Sequence, residues 1–475
     1  MNIEKYDLAI IGSGSGNSLI TPYWDDRKVA IIDAGIFGGT CLNAGCIPTK
    51  MFAYPAQLAS TPQQVAPLGI DMAFESADWP EIRDRIFSRI DAISAGGKRY
   101  RDVELEHTTL ITEEVHFSGP KQLTSQTGRV LEADQIVIAA GSRPSFPSVP
   151  GVHLPGVHTS ETVMRLPELP KRIIIVGGKY IGSEFAAIFA GLGAEVIQVN
   201  RSGRLLSSHD HTISDEFTRV ASGHWQLEMN QTLHSIEQEG HQLRVNVSET
   251  GGNLNEISGT YTSDVVLLAT GREPNTDRMN LEAAGIDTFN DFIARDEYLR
   301  VLSNDEPVEG VWAIGDIAND QMLKHVANHE QRVVSHNMEH PDNMKPDTLD
   351  AIPAGVFTRP QIATVGLTED QAKIQYGSEA ITTKIQAYGD TAYGWAMEDS
   401  DGFVKLIANT STGKLLGAHI MGPEATNLLQ PVIMAMSFGI TAHQMARGQY
   451  WIHPAMAEVV ENALLGLDVP ESGLL

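Results

Sequence analysis

The sequence predicts an α/β protein with two Rossmann-like units and a smaller α+β unit at its carboxyl end. Three observations lead to this fold class. Near the start of the chain, an apolar strand, a glycine-rich turn, a second apolar strand and an acidic residue follow one another. The order of strand, turn, helix and strand returns after residue 171. After about residue 345 the pattern changes to alternating strands and then helices, which is typical of an α+β unit.

The first unit begins with an apolar strand that ends at Ile11 and runs into the glycine-rich turn. Three glycines shape this turn: Gly12, Gly14 and Gly16. A helix is expected next, and a second apolar strand, Val29 to Ile32, ends in Asp33. In a dinucleotide-binding unit such glycines let the backbone approach a pyrophosphate, and the acid binds ribose hydroxyls. Asn17 stands where the pattern usually has its third glycine, so we expect different packing there.

The second unit repeats this order in the second quarter of the chain. A strand from Arg172 to Val176 leads into a turn over residues 177–182, a helix from Ser183 to Leu192 and a strand from Glu195 to Val199. Two such units imply two bound dinucleotides. Lys179 occupies the middle of the turn, where glycine usually permits close approach of the backbone, so we expect crowding of the pyrophosphate there.

The residues after the last strand of the second unit indicate which dinucleotide it binds. An acid at this place would bind a free ribose 2′-hydroxyl, whereas this chain has Asn200, Arg201 and Arg204. Guanidinium groups suit a 2′-phosphate, so the sequence favours NADPH over NADH. The alternative is that these are solvated turn residues.

Composition and charge exclude several classes of function. The chain has 475 residues, of which 60 are acidic and 34 basic, and its net charge is −26. This balance argues against nucleic acid or an anionic membrane as a partner, because phosphate contacts need clustered Lys and Arg. No apolar run approaches the roughly 18 residues of a membrane span, and no targeting segment is visible before the first strand. A cytoplasmic protein is expected.

The two cysteines of the chain, Cys41 and Cys46, lie in one run from Gly38 to Lys50. Such a pair indicates chemistry, most simply a reversible disulfide. Residues five apart on a regular helix point away from each other, and a bridge needs Cα atoms within roughly 7 Å. We therefore expect a distorted turn, which Asn43 and Gly45 would tolerate. A stabilising disulfide and a metal site are alternatives, but no histidine accompanies the pair at zinc-like spacing, so no metal is expected.

A chain with two dinucleotide units and this cysteine run resembles the flavoprotein disulfide reductases, the family of glutathione reductase and lipoamide dehydrogenase. The resemblance covers nearly the whole chain and rests also on Gly315 with Asp316 and on the segment His453 to Glu458. It implies FAD in the first unit and a nicotinamide dinucleotide in the second. The implied domains are an FAD-binding domain in two parts, 1–150 and 276–345, an NADPH-binding domain, 151–275, and a dimerisation domain, 346–475.

The resemblance also implies the residues that contact the cofactors. For FAD they are Gly12, Gly14, Ser15, Gly16, Asp33, Thr40, Lys50 and Asp316. For NADPH they are Gly178, Tyr180, Ile181, Arg201, Arg204 and Gly271. Tyr180 matches the aromatic residue that covers the nicotinamide pocket in glutathione reductases.

The catalytic roles follow from the same resemblance. NADPH reduces FAD, which passes two electrons to the disulfide. Cys46 is the thiolate nearer the flavin, and Cys41 attacks the substrate disulfide. Lys50 lies near the reactive flavin nitrogen and pairs with Glu184. The acid and base is His453, which is oriented by Glu458 and supplied by the partner subunit of a homodimer.

The cysteine count and a few further segments narrow the substrate to a small-molecule disulfide. Mercuric reductases and large thioredoxin reductases need another redox pair near the carboxyl terminus, and residues 466–475 contain no cysteine. Asn17 with Ser18, Val199 to Leu206 and Gly315 to Glu330 resemble the branch that reduces mycothione, the disulfide of a cysteinyl glucosamine inositol thiol. The alternatives are a lipoamide dehydrogenase and a flavoprotein redox sensor that holds FAD without turnover.

Overall fold

Three main sheets organise the protein in the computed structural model, which describes residues 3–253, 256–348 and 351–474. In the first 150 residues the strands are β1 (Ile3–Ile11), β2 (Val29–Ile32), β3 (Thr108–Ile111), β4 (Val115–Gly119), β5 (Gln122–Ser125), β6 (Val130–Ile138) and β7 (Ser142–Pro144). The α-helices there are α1 (Gly39–Asn43), α2 (Cys46–Ala59), α3 (Thr61–Val65) and α4 (Trp79–Arg99).

The middle of the chain forms a second group of elements. Its strands are β8 (Val157–Thr159), β9 (Arg172–Val176), β10 (Glu195–Asn200), β11 (Gln226–Met229), β12 (Gln231–Glu239), β13 (Gln242–Glu249), β14 (Gly259–Ser263), β15 (Val265–Leu268) and β16 (Arg272–Pro274). Its α-helices are α5 (Tyr180–Gly191) and α6 (His211–Ala221).

The remaining elements follow β16. The strands are β17 (Thr288–Phe289), β18 (Phe292–Ile293), β19 (Arg300–Ser303), β20 (Glu306–Ala313), β21 (Pro353–Val356), β22 (Ile362–Gly366), β23 (Ile381–Ala387), β24 (Phe403–Asn409) and β25 (Leu415–Met421). The α-helices are α7 (Lys324–Glu339), α8 (Glu369–Tyr376), α9 (Ala392–Met397), α10 (Ala425–Phe438), α11 (Ala442–Arg447) and α12 (Glu458–Leu465).

The first sheet joins residues that are far apart in sequence. Strands β20, β6, β1, β2 and β3 lie side by side and run parallel, so that Ile11 pairs with Ile32 on one side and with Ile138 on the other. The carboxyl-terminal part of β1 (Leu8 to Ile11), the whole of β2 and the end of β6 (Ile136 to Ile138) are apolar because the sheet is buried on both faces there. Strand β20 brings the turn that contains Asp316 to the edge at which β1 ends.

The second sheet is parallel and has the order β11, β10, β9, β15, β8. The third sheet is antiparallel, with the order β21, β22, β25, β24, β23, and α10 and α12 pack on it. Two parallel sheets followed by an antiparallel sheet with helices confirm the predicted α/β fold with a terminal α+β unit.

The segment after the first glycine turn differs from the expectation of a regular helix. It contains two short 3-10 helices, Gly16–Leu19 and Pro22–Trp24. Pro22 lacks an N–H and restricts the residue before it, so an α-helix that began at the turn could not continue through this position. The side chain of Asn17 accepts a hydrogen bond from Nε of Arg101 at 2.8 Å, which ties this segment to the end of α4.

Aromatic packing fixes the helices that carry the site. The ring of Trp79 on α4 stacks on Phe52 of α2, with 4.8 Å between centroids, and on Phe189 of α5 at 5.5 Å. All three rings are buried. This stack holds α2 against α5, so that Lys50 on α2 and Glu184 on α5 can meet. None of the helices in the described ranges is long and apolar enough to cross a membrane.

Candidate active site

The cysteine pair spans a break between two helices, as the spacing predicted. Helix α1 ends at Asn43, and Ala44 and Gly45 have non-helical backbone angles before Cys46 begins α2. Asn43 itself is helical, and its buried side-chain amide donates to the carbonyl of Phe37 at 3.0 Å. The break therefore lies at Ala44 and Gly45, and Asn43 supports it through its side chain.

In the free-thiol form, the side chains of Cys41 and Cys46 hydrogen-bond to each other. The hydrogen bond from Cys41, aided by the charge of Lys50, lowers the pKa of Cys46 to about 7 although burial opposes this. The same hydrogen bond, together with burial, raises the pKa of the Cys41 thiol. Cys46 therefore ionises first, while Cys41 keeps its proton. The lowered pKa of Cys46 agrees with the thiolate role that the resemblance implied for it, whereas the pKa of Cys41 is raised and not lowered as its attacking role would require.

An ion pair between α2 and α5 lies beside Cys46. Nζ of Lys50 is 2.8 Å and 2.9 Å from the two carboxylate oxygens of Glu184. The Glu184 side chain is only 6% exposed and also accepts from the amide of Phe357 at 2.8 Å. Nζ of Lys50 lies 4.7 Å from the centroid of the Phe357 ring. Glu184 is therefore a buried partner of Lys50 and not a solvated acid of the first helical turn.

Replacing Lys50 with methionine should raise the pKa of Cys46. Loss of a nearby opposite charge typically costs a thiolate about one pKa unit or more, so the titration midpoint should move from about 7 to about 8. The measurement is the pH dependence of thiolate absorbance in the reduced protein. A Lys98→Met variant, which removes an exposed lysine of α4, is the control and should leave the midpoint unchanged. An unchanged midpoint in Lys50→Met would contradict the assignment.

The first glycine turn fits the pyrophosphate of a dinucleotide. Gly12 has a φ of +111°, and a Cβ there would lie 2.2 Å from the carbonyl oxygen of Ala139. Within the described part of the chain, the amides of Gly14 and Ser15 donate to no protein acceptor, so they are available to an anion. Gly16 is buried, and a Cβ there would lie 2.7 Å from the side chain of Ile10.

Two carboxylates flank this turn. Asp33 accepts from the amide of Ser13 at 2.8 Å and from the amide of Gly35 at 2.8 Å. Asp316 accepts from the hydroxyl of Ser142 at 2.7 Å. Free amides between two oriented acids suit the phosphates and hydroxyls of FAD. Thr40 is exposed in the first turn of α1, next to Cys41.

The second glycine turn needs glycine at positions other than that of Lys179. A Cβ on Gly177 would lie 2.2 Å from the carbonyl oxygen of Ala269, and one on Gly182 would lie 2.1 Å from that of Gly177. Lys179 is exposed, has extended backbone angles and directly precedes α5. The fold of the turn itself therefore does not require glycine at residue 179.

The loop after β10 presents the basic residues that the sequence singled out. The side-chain amide of Asn200 donates to the carbonyl oxygens of Ser202 and Arg204, which folds the loop around this side chain. Gly178 is buried against Asn200, where a Cβ would lie 2.4 Å from the side chain. Arg204 is bound to Asp215 at 3.0 Å, whereas Arg201 is exposed and makes no ion pair within the described residues. Arg201 is thus the guanidinium left available to a phosphate.

Tyr180 begins α5, directly before the partly buried Ile181. Burial raises the pKa of Tyr180, on which the charges of Arg272 and Asp316 also act. The Arg272 side chain is 8% exposed and donates from Nε to the hydroxyl of Ser142 at 2.8 Å. Gly271, with a φ of +131°, precedes it. Arg272 was not among the residues predicted, although it directly follows Gly271, which was predicted.

The carboxyl-terminal segment forms a histidine–carboxylate pair. Nδ1 of His453 is 2.5 Å from Glu458, whose other oxygen accepts from the amide of Ala455 at 3.2 Å. The His453 side chain is 72% exposed, and the chain as described gives it no hydrogen bond to a cysteine. Tyr450 and Ile452 next to it are also exposed. This surface has the composition of an interface.

Two further residues of the site lie in the segment from Gly315 to Glu330 but were not themselves predicted as site residues. Glu330 on α7 is buried, accepts from the amide of Gly315 at 2.6 Å and pairs with Arg295 at 2.5 Å, so it fixes the turn that presents Asp316. Lys324, the first residue of α7, donates to the hydroxyl of Ser15 at 2.9 Å. The contact of Lys324 with Ser15 joins residues 309 apart in the sequence, and that of Glu330 with Gly315 joins residues 15 apart. Only the folded chain reveals them.

Comparisons with known proteins agree with this arrangement. The family model described as pyridine nucleotide-disulphide oxidoreductase matches residues 6–331, and the model described as its dimerisation domain matches residues 352–464. Mycothione reductase from Mycobacterium tuberculosis is 47% identical, over 98% of this chain and 100% of that protein. Dihydrolipoyl dehydrogenase from Chlamydia muridarum is 32% identical, over 98% of each chain. The structure of the HOCl-induced flavoprotein disulfide reductase RclA from Escherichia coli superimposes with a TM-score of 0.83 at 25% identity, over 97% of this chain and 100% of that chain.

Proposed function

Because this chain belongs to the pyridine nucleotide-disulphide oxidoreductase family, we propose that it is an NADPH-dependent flavoprotein disulfide reductase that reduces mycothione to mycothiol. One observation carries the reaction type: Cys41 and Cys46 are hydrogen-bonded across a helix break, and the pKa of Cys46 is lowered to about 7. A thiolate at neutral pH is what disulfide exchange requires.

The residues around the first turn would hold FAD. Gly12, Gly14, Ser15 and Gly16 would receive its pyrophosphate, while Asp33, Thr40, Lys50 and Asp316 would contact its remaining parts. When bound, FAD supplies a two-electron relay between the nicotinamide and the cysteine pair. The free amides of Gly14 and Ser15 and the oriented carboxylate of Asp33 support this assignment.

The second turn would hold NADPH. Gly178, Tyr180, Ile181 and Gly271 would surround the nicotinamide and pyrophosphate, and Arg201 with Arg204 would bind the 2′-phosphate. The guanidinium of Arg201, which makes no ion pair with any residue that the structure describes, supports NADPH over NADH. Domains 1–150 with 276–345, 151–275 and 346–475 would then bind FAD, bind NADPH and form the dimer interface.

Thiol–disulfide exchange would use the two cysteines in turn. Cys41 passes its proton to His453 of the partner subunit and attacks one sulfur of the substrate disulfide, so a Cys41–substrate bond forms as the substrate S–S bond breaks, and the leaving thiolate takes the proton back from that histidine. The Cys46 thiolate then attacks Cys41, the Cys41–Cys46 disulfide forms as the Cys41–substrate bond breaks, and the second thiolate leaves and takes a proton from solvent. The exposed His453, held by Glu458 and surrounded by exposed apolar residues, supports a site shared across a dimer.

The substrate is proposed from the relative with 47% identity, whose name states its activity on mycothione. In a reducing compartment, stable disulfides are rare and those that form are usually transient and catalytic, so we place the enzyme in the cytoplasm. The second candidate function is that of a lipoamide dehydrogenase. It has less support, because the dihydrolipoyl dehydrogenase from Chlamydia muridarum is 32% identical and the mycothione reductase is 47% identical.

Substrate turnover tests this proposal. With NADPH as the donor, we expect the FAD-loaded protein to turn over mycothione at least tenfold faster than glutathione disulfide or lipoamide. With mycothione as the substrate, we expect NADPH to be oxidised faster than NADH. The measurement is the steady-state loss of nicotinamide absorbance for each combination of donor and disulfide. Faster turnover of lipoamide with NADH would select the second candidate function, and failure of NADPH to reduce the flavin under nitrogen would instead select a redox sensor without turnover.

A further inference from the structure

The segment after the first glycine turn lacks an α-helix that would supply positive charge to a bound pyrophosphate. In an ordinary dinucleotide-binding unit the pyrophosphate lies at the N-terminus of an α-helix, where aligned peptide dipoles leave a partial positive charge. In this chain the turn leads into a 3-10 helix of four residues, Gly16–Leu19. Few peptide dipoles align in so short an element. The pyrophosphate of FAD therefore needs another source of positive charge.

One cation at the turn is Arg101, which lies in the short π-helix after α4. Its Nε donates to the side-chain oxygen of Asn17 at 2.8 Å, and its Nη2 donates to the carbonyl oxygen of the same residue at 3.0 Å. Arg101 is only partly exposed, burial lowers its pKa, and it makes no ion pair within the described residues. Removing a charge from water without a counter-ion is unfavourable, so this position suits a guanidinium that meets an anion.

A second cation is Lys324, the first residue of the 16-residue helix α7. Its Nζ donates to the hydroxyl of Ser15 at 2.9 Å. Lys324 is also partly exposed, and no carboxylate in the described part of the chain lies within 4 Å of its ammonium group. The first turn of a helix disfavours a cation, and a neighbouring anion would offset this effect.

Helix α7 also holds the 3-10 segment in place. The side chain of Gln331 donates to the carbonyl oxygen of Ser18 at 3.0 Å, and the hydroxyl of Thr21 donates to Glu339 at 2.9 Å. The segment is thus fixed against α7 on one side and to Arg101 through Asn17. The fold therefore sets the positions that the two cations take relative to the turn.

Positive groups are concentrated at this turn although the chain has 60 acidic and 34 basic residues. Ser15 and Asn17, which accept from the two cations, are two residues apart, and the amides of Gly14 and Ser15 donate to no described acceptor. The carboxylate of Asp33 accepts from backbone amides and pairs with neither cation. Two cations and two free amides in so short a stretch match the charge and the acceptor oxygens of a pyrophosphate.

We propose that Arg101 and Lys324 together replace the missing helix N-terminus, so that their charges stabilise the FAD pyrophosphate at the first turn. The hydrogen bonds to Asn17 and Ser15 hold the two cations there. Asn17 stands where the pattern usually has its third glycine, and its role is to hold the guanidinium. This proposal rests on the proposed FAD site and does not depend on the substrate.

Release of FAD from the holoenzyme tests the proposal. The holoenzyme is diluted, and the release of FAD is followed by flavin fluorescence. Arg101→Met and Lys324→Met should each release FAD about tenfold faster than the native protein, which is the effect expected for one hydrogen bond to a charged group. Arg101→Lys and Lys324→Arg keep the charge and should release FAD at nearly the native rate.

Salt dependence separates a role of charge from a role in packing. Raising NaCl from about 0.05 M to about 0.5 M should speed release from the native protein, because salt screens the attraction between the cations and the pyrophosphate. The double variant Arg101→Met with Lys324→Met should respond much less. Arg99→Met, which removes an exposed arginine of α4 that pairs with Glu104, is the matched control and should behave as the native protein does.

Several outcomes would overturn the proposal. These are native release rates in both methionine variants, an equal gain in Arg99→Met, or the same salt dependence in the native protein and the double variant. Equal release from Arg101→Lys and Arg101→Met would assign the guanidinium to packing alone and would also overturn it. Arg101→Gln and Lys324→Gln replace the methionine variants if those proteins do not fold. A native protein that binds no FAD would contradict the FAD site itself, whereas failure of mycothione turnover would leave the release rates readable.

Discussion

Changing Cys41 to serine is expected to abolish disulfide turnover, with a loss in kcat of at least about 10³-fold, because the attacking thiolate is gone. The glycine turns, Lys50 and Glu184 are untouched, so NADPH should still bleach the flavin absorbance at the native rate. Stopped-flow absorbance measures the flavin step, and steady-state NADPH oxidation with disulfide measures the whole cycle. Loss of both rates together would contradict the separate assignment of Cys41 to the substrate.

Mixed dimers would extend this experiment to the shared site. His453→Gln should also lower turnover, since the leaving thiolate loses its proton donor. If His453 serves the partner subunit, a dimer of one Cys41→Ser chain and one His453→Gln chain has one doubly damaged site and one intact site. Mixing the two inactive proteins under exchange conditions should then restore about half of the native activity per mixed dimer. No restoration would place His453 in the site of its own chain.

The second large effect is expected at a buried lysine that joins the middle unit to the carboxyl-terminal sheet. Lys405 on β24 is 1% exposed, and its Nζ lies 2.8 Å from Asp210 and 2.7 Å from Glu369. Replacing Lys405 with methionine would leave the fully buried carboxylate of Asp210 without its counter-ion. We expect a loss of about 3–5 kcal/mol in the free energy of unfolding, measured by urea titration.

A neighbouring lysine provides the matched control for Lys405. Lys373 pairs with the same Glu369 at 2.5 Å, but its side chain is 41% exposed. Lys373→Met should therefore cost less than about 1 kcal/mol. Equal losses in the two variants would contradict the importance of burial. Asp210 also caps α6, directly after the loop that carries Arg201 and Arg204, so a higher KM for NADPH should accompany Lys405→Met.

The effect of Lys405 should depend on pH. Burial alone would raise the pKa of Asp210, but hydrogen bonds from the amide of Glu369 and the ammonium group of Lys405 lower it to about 2. A carboxyl group whose pKa is lower in the folded state contributes stability above its unfolded pKa of about 3.9 and loses it as the pH falls through the folded value. The difference in stability between the native and Lys405→Met proteins should thus be smallest toward pH 2 and should grow as the pH rises, until Asp210 is ionised in both folded proteins.

Local patterns sufficed for the strands and the glycine turns. Strands such as Val29–Ile32 and Arg172–Val176 have the predicted bounds, because continuous β-branched runs between turn residues suit a sheet that is buried on both faces. The helix expected after Gly16 was wrong, because Pro22 and the hydrogen bonds of Asn17 outweigh the general pattern of the unit. The break between the cysteines was predicted, although Ala44 adopts the unusual angles and Asn43 does not.

Short sequence motifs determined some features of the site, and contacts between distant segments of the chain determined others. The sequence by itself determined the two dinucleotide units, the redox pair Cys41 and Cys46, and the family, since these depend on residue types at short spacing. Tertiary structure decided that Glu184 is buried against Lys50, that Glu330 holds the turn of Asp316, and that Lys324 meets Ser15. The physical reason is that a short motif specifies backbone shape and residue chemistry, whereas burial, charge pairing and the pKa of a thiol depend on side chains that the packing of distant segments brings together.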